Sequence, residues 1–246
     1  MSAAPSNVDL DVLWHDLECG GYDHDLPLWR ELAAEAGGGP VLDVGAGTGR
    51  VTLDLAARGI EVVALDADAP LLRALDERAA GLPVQTVAAD ARDFHLGRRF
   101  PLVLVPMQTI QMLGGDAPRR AFLRCAREHV APGGLLAAAL ADALESFDAE
   151  YDGLPVPDEC TIDGVRYASR PLAVVDEGDR AAIHRLREVT GPEGVRTAAD
   201  DVVRLDRVTA GEVAAEAAAL GFTPLPHRGV PQTDEYVGST VVVLRG

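Results

Sequence analysis

Five short apolar runs, Val41–Val44, Glu61–Leu65, Val84–Ala88, Leu102–Val105 and Leu135–Leu140, alternate with stretches of helical period through the middle of the chain. That alternation leaves few folds open. Parallel strands need crossover connections, which are usually helices, and the strands so covered read as continuous apolar runs. The spacing therefore predicts an α/β fold with a mostly parallel sheet and helices on both faces. Two further strands, Leu225–His227 and Ser239–Leu244, bring the expected sheet to seven. Hydrophobic residues make up 48% of the chain but aromatics only 4%, so the core must be built from Ala, Val and Leu.

The flanking segments read differently. Residues 1–36 are expected to form an N-terminal helical cover, amphipathic from Val8 to Ala36 and broken at Cys19-Gly20-Gly21 and again at Pro27. The core spans 37–145, with Pro132-Gly133-Gly134 as a sharp turn before the fifth strand. Residues 146–207 alternate apolar with polar around Tyr167–Val175, Ala181–Thr190 and Val195–Leu205, separated by Glu177-Gly178-Asp179 and Gly191-Pro192-Glu193-Gly194. These are hairpin signals, so an antiparallel β-insertion is expected after strand five. Residues 208–246 complete the core, opening with a helix capped by Thr209 and Glu212 and closed by Gly221.

Charge and cysteine usage narrow the function. With 22 Lys and Arg against 39 Asp and Glu, the formal charge is -17, and arginine pairs such as Arg98-Arg99 and Arg119-Arg120 stand isolated. A chain so acidic repels phosphate backbones, which excludes nucleic acid as the expected partner. Cys19, Cys125 and Cys160 form no CxxC pair, which argues against a disulfide framework and a zinc site and fits a reducing cytoplasm. Neither a basic n-region nor an apolar run of about 20 residues is visible, so no membrane partner is expected. A small-molecule substrate and a monomer or homodimer are expected.

The segment with most chemical content is Val41-Leu42-Asp43-Val44-Gly45-Ala46-Gly47-Thr48-Gly49-Arg50, a buried strand running through a glycine-rich turn into a helix. Bare glycines let a ligand approach the main chain at the carboxyl edge of an open sheet. A dinucleotide fingerprint would require its third glycine at position 50, where Arg50 stands. A nicotinamide-dependent oxidoreductase is thereby disfavoured. The second strand ends at Asp66, twenty-three positions after Asp43, an interval that brings a second carboxylate to a ribose.

The DxGxGxG pattern resembles the nucleotide-binding motif of class I S-adenosylmethionine-dependent methyltransferases, and the resemblance runs by motif from Val41 to Leu140. It implies a Rossmann-like sheet, S-adenosylmethionine as cofactor and a methyl group moved to a small molecule. In that reading Asp43 holds the amino acid part of the cofactor beside Gly45, Ala46, Gly47 and Gly49, and Asp66 with Ala67 takes the ribose. Asp90, Ala91 and Arg92 resemble the adenine-side segment. Pro106 and Gln108 follow strand four, where the family places residues facing the sulfonium and the acceptor. Tyr22 in the N-terminal cover is expected to close over the cofactor. Phe94–Phe100, Ala131–Gly134 and the β-insertion look most like natural-product N-methyltransferases of amino sugars.

Gln111, Tyr151 and Tyr167 are the candidate lining of the acceptor pocket. If the acceptor must lose a proton, His15, His24 and His227 are the candidate bases, because imidazole titrates near neutral pH. No carboxylate cluster for a magnesium ion can be assembled, Asp142 being the nearest approach, so no metal is expected. A catalytically silent module that only binds S-adenosylmethionine remains the alternative from another class.

Overall fold

The computed structural model describes residues 8–141, 147, 148, 150, 153, 155–233 and 237–246. They fall into two compact units: a larger one within 22–143 and 206–246, and a smaller one within 1–21 and 144–205.

The larger unit is built on strands β1 (Val41–Val44), β2 (Val62–Asp66), β3 (Val84–Ala88), β4 (Phe100–Val105) and β5 (Val130–Leu140), all parallel. The sheet also takes in β11 (Thr223–Pro224), β12 (Arg228–Val230) and β13 (Ser239–Arg245). Its order is β11-β13-β5-β4-β1-β2-β3, with β13 antiparallel to β5 and the short β12 paired on β13. The chain leaves β1 towards β2 and β3 and returns on the other side of β1 as β4. That reversal opens a crevice at the carboxyl ends of β1 and β4, where open α/β sheets bind ligands.

Helices cover both faces: α2 (Leu26–Glu35) and α3 (Arg50–Ala56) on one, α5 (Asp116–His129) and α6 (Ala210–Ala219) on the other. The two-residue period of a strand decides which side chain goes where. Leu42 and Val44 pack with Phe122, Leu123 and Val213 on the α5 and α6 side, whereas Val41 packs with Trp29, Val51 and Leu55. Asp43 shares the parity of Val41, and this carries a carboxylate under α3.

In the smaller unit, β8 (Val165–Asp176), β9 (Arg180–Thr190) and β10 (Arg196–Asp206) form an antiparallel sheet, with β6 (Phe147–Asp148) and β7 (Asp158–Ile162) also on β8. Helix α1 (Leu10–Cys19) buries Leu13 and Trp14 against Tyr167, with Trp14 and Tyr167 edge to face at 5.9 Å. Glu18 fixes its last turn, accepting from Arg187 at 2.8 Å twice and from Ser169 at 2.6 Å. Burial works against that charge, but the bonds from Arg187 and Ser169 prevail and hold the carboxyl below its usual range.

Three local expectations need correction. Pro27 opens α2 instead of breaking a helix, because a first-turn proline has no hydrogen bond to lose. Pro132-Gly133-Gly134 lies within β5, where the pairing jumps from Phe100↔Val130 to Leu102↔Leu135, so the turn is an excursion of the strand. Leu225–His227 falls between β11 and β12, which pair with opposite ends of β13.

The capping box of α6 is present: Thr209 Oγ1 accepts from Glu212 N at 3.2 Å and Glu212 accepts from Thr209 N at 2.8 Å. Thr209→Ala is expected to cost about 1 kcal/mol, read as a lower urea midpoint at unchanged slope; an unchanged midpoint would show that tertiary packing alone fixes the start of α6.

Candidate cofactor site

Asp43 is 1% exposed. Its Oδ2 accepts from Thr52 Oγ1 of α3 at 2.7 Å, and its Oδ1 is buried without a hydrogen-bond partner. Burial pushes the carboxyl up to about 6; the Thr52 bond and the Arg50 charge pull the other way, while Asp66 and Asp25 add to the rise. A buried carboxylate oxygen with nothing bound to it is costly unless a donor or a cation arrives.

Arg50 stands where the strand-turn-helix enters α3, and it is doubly tied. Its guanidinium donates to both Asp25 oxygens at 2.5 and 2.8 Å and to the Tyr22 carbonyl at 2.7 Å. Asp25 accepts in turn from Trp29 Nε1 at 2.7 Å. Tyr22 is buried, its ring under the Arg50 guanidinium at 5.1 Å and stacked against exposed His24. Sequence reading singled out Arg50 only as a missing glycine and passed over Thr52 and Asp25.

The glycine turn is shaped by its neighbours. Gly45, at φ +74°, lies under Thr109, whose Cγ2 would be 2.5 Å from a Cβ there. Gly49, at φ +96°, faces the Leu75 side chain, which a Cβ would strike. Both positions therefore need glycine for close approach as well as for their left-handed backbone. Ala46, between them, is buried against Leu72 and Leu75 of α4 (Ala69–Arg78).

Asp66 closes the turn from the neighbouring strand. Its Oδ2 accepts from Gly47 N at 2.7 Å and its Oδ1 from Asp68 N at 2.9 Å, while Ala67 between them is exposed. An ionised carboxylate has about four acceptor positions, so both oxygens keep capacity for hydroxyl donors. Asp66 is thus no bare ligand: it also pins the glycine turn. Asp90 follows β3 and is half-buried, held by Arg92 through side-chain bonds at 2.6 to 3.1 Å and by the Arg92 backbone N–H. These bonds hold its carboxyl below the usual range. Ala91 beside it is half-buried.

After β4, Pro106 is buried and Gln108 half-buried, and Thr109 Oγ1 donates to the Pro106 carbonyl at 3.1 Å. Two expectations for the acceptor pocket are corrected here. Gln111 is 1% exposed and fully engaged: its Nε2 donates to the Ala141 and Asp206 carbonyls, and its Oε1 accepts from Ala141 N. Tyr167 is buried in the core of the smaller unit. Neither side chain is free to line a pocket. Tyr151 and Asp142 lie outside the described residues. The three histidines stand on separate elements: half-buried His15 in α1, exposed His24 before α2, and exposed His227 between β11 and β12. Among the described residues, no group of three His, Cys, Asp or Glu is placed to hold a metal.

Two predictions follow from these environments. A carboxyl raised in the folded state contributes stability below about pH 4 and loses it as pH rises through about 6. Asp43→Asn removes that titration, so its stability relative to the parent should rise by about 3 kcal/mol between pH 4 and pH 7; parallel pH profiles in denaturant titrations would refute the burial argument. Asp66→Ala, which frees the Gly47 and Asp68 amides, should lower stability by about 1–2 kcal/mol without any ligand present. An Asp66→Ala protein as stable as the parent would mean that the turn holds itself.

Residues 41–134 match a family model described as a methyltransferase domain. No curated protein matches the chain by sequence. Among solved structures, CalS10, an amino pentose methyltransferase from Micromonospora echinaspora involved in calicheamicin biosynthesis, is similar with 23% identity over all of both chains and a TM-score of 0.73. The sugar N-methyltransferase KedS8 from a Streptoalloteichus species has 23% identity, covering 100% of this chain and 99% of its own, with a TM-score of 0.73. The glycopeptide N-methyltransferase MtfA, complexed with S-adenosyl-L-methionine, has 25% identity over 91% of this chain and 95% of its own, with a TM-score of 0.58. Residues 41–134 thus carry a methyltransferase domain, on a fold that the chain shares with S-adenosylmethionine-dependent methyltransferases.

Proposed function

We propose that the protein methylates an amine on a small natural-product acceptor, with S-adenosylmethionine as donor. The observation that carries the donor assignment is the orphaned, buried Asp43 Oδ1 below the glycine turn. S-adenosylmethionine supplies an activated methyl group on a sulfonium and also carries an ammonium. An ammonium satisfies a lone carboxylate oxygen and favours its charged form. In this reading Asp43 takes that group, Asp66 uses its spare lone pairs on the ribose, and Asp90 with Ala91 borders the adenine.

The amine assignment rests on charge. Residues 144–205 hold 14 Asp and Glu against 7 Arg. Six of those arginines are already paired, Arg166 with Glu159, Arg170 and Arg196 with Glu188, Arg185 with Asp158, Arg187 with Asp201 and Arg204 with Glu177. Such a surface attracts a cationic acceptor and gives a phosphorylated one little to bind. The names of CalS10, KedS8 and MtfA point the same way. Water accepts the proton of an ammonium before attack, so a histidine base is an aid and not a requirement. The chain's own task is then to align acceptor and donor and to exclude water.

No helix among the described residues is long and apolar enough to cross a membrane. Three free cysteines and the charge of -17 support a cytoplasmic enzyme that leaves nucleic acids alone.

Calorimetry should show S-adenosylmethionine binding, weakened about tenfold or more by Asp43→Ala. Labelled methyl should pass to amino sugars in preference to phenols and neutral sugars. Absence of cofactor binding would overturn the donor assignment, and transfer to phenols alone would overturn the amine.

A further inference from the structure

Between β3 and β4 the chain passes from Ala89 to Arg99 with little regular structure. At its start Ala89 N donates to the Asp66 carbonyl at 2.9 Å, and the isolated bridge Asp90↔Asp93 is its strand-like pairing among the described residues. Asp90 is bound by Arg92 of the same stretch, so that pair travels with the segment and does not anchor it. A segment with so little ladder of its own has to be positioned by other elements.

Helix α5 supplies the anchor from its last turn. Cys125 Sγ donates to the Arg92 carbonyl at 3.3 Å. Phe94 is buried, with its ring centroid 4.5 Å from that of His129. His129 is itself 2% exposed; its Nε2 accepts from Leu96 N at 3.0 Å, and its Nδ1 lies 2.7 Å from the Cys125 carbonyl. These partners decide the tautomer. A carbonyl only accepts and a backbone N–H only donates, so the proton sits on Nδ1 and Nε2 turns its lone pair to Leu96. A histidine that closes a helix by bonding a last carbonyl needs one nitrogen for the task. Here the other nitrogen holds a segment 33 residues earlier in the chain.

The two ends of the segment therefore answer to different parts of the larger unit. Its start is fixed to Asp66, whose carboxylate also holds Gly47 of the glycine turn, and its far end to His129. Asp90 and Ala91 lie between these ties. We propose that His129 is a positioning residue for the cofactor, setting through Leu96 and Phe94 where the Asp90–Ala91 wall stands relative to the glycine turn. The assignment rests on the reading that Asp90 and Ala91 border the adenine.

Calorimetry on the full chain should show S-adenosylmethionine binding about tenfold weaker in His129→Phe, which keeps a ring against Phe94 but offers the Leu96 amide no acceptor. Adenosine, which lacks the amino acid part, should lose affinity by the same factor. His129→Gln should restore most of it, because its Oε1 can take the place of Nε2 as acceptor for Leu96. With cofactor at saturation kcat should keep its parental value while KM for the cofactor rises, a split that a general loss of folded protein does not produce. Should His129→Phe fail to fold, Cys125→Ala tests the same anchor at Arg92, with an expected loss of about two- to threefold. Parental affinity in both His129→Phe and Cys125→Ala would overturn the proposal and leave the cofactor reading standing, as would equal losses in His129→Gln and His129→Phe. A parent protein that binds neither S-adenosylmethionine nor adenosine would overturn that reading and the proposal with it.

Discussion

A buried negative charge at the end of β1 is the constraint around which the larger unit is arranged. Strand parity sends Asp43 to the side of Val41, beneath α3, where water cannot reach it. One hydroxyl, from Thr52, meets one of its oxygens. The nearest formal compensation is Arg50, but that guanidinium is held by Asp25 and the Tyr22 carbonyl, so it acts on Asp43 through its field and not by contact. The free protein therefore holds a carboxylate raised above its ordinary range beside the glycine turn. A cationic ligand relieves that situation, whereas an anionic one aggravates it.

The glycines of the turn answer to two demands at once. Gly45 and Gly49 are fixed by Thr109 and Leu75, so packing alone excludes any larger residue there. Gly47 is held through its amide, which donates to Asp66 across the sheet. A turn clamped from three elements is preorganised, and a ligand that meets it loses less in ordering the protein. The same clamping gives Asp66 a part in holding the turn.

The sheet was legible because its strands are nearly continuous apolar runs of strand length, broken by glycine and helical periods; β1 and β3 fall on the expected residues. The hairpins of the smaller unit were legible from the Gly-containing turns at 177–179 and 191–194. What escaped was set by contacts distant in sequence. Gln111 sits one turn past β4, as an acceptor-facing residue would, yet its amide bonds Ala141, 30 residues on, and Asp206, 95 residues on. Tyr167 shows an amphipathic ring in a strand, and only the partner surface of Trp14 decides that it is interior. Thr52 carries no motif at all; the signal that could have found it is the buried acid on the strand preceding α3, which requires a donor from the covering helix.

Gln111 and Asp206 together show how a long insertion is tied to a fold that does not need it. The chain leaves the larger unit just beyond Ala141 and returns at Asp206, and one buried side chain bonds the backbone at both points. The Asp206 carboxylate accepts from Gly115 N at 2.5 Å and lies 3.9 Å from Arg119, whose guanidinium is bound to Glu216 of α6 and Asp116 of α5. Burial acts against the Arg119 charge, but these carboxylates more than compensate. Departure and return are thus held by one polar network inside the larger unit. Loop-closure entropy grows only slowly with the length of the excursion. A clamp at its two ends therefore lets the sequence between them vary.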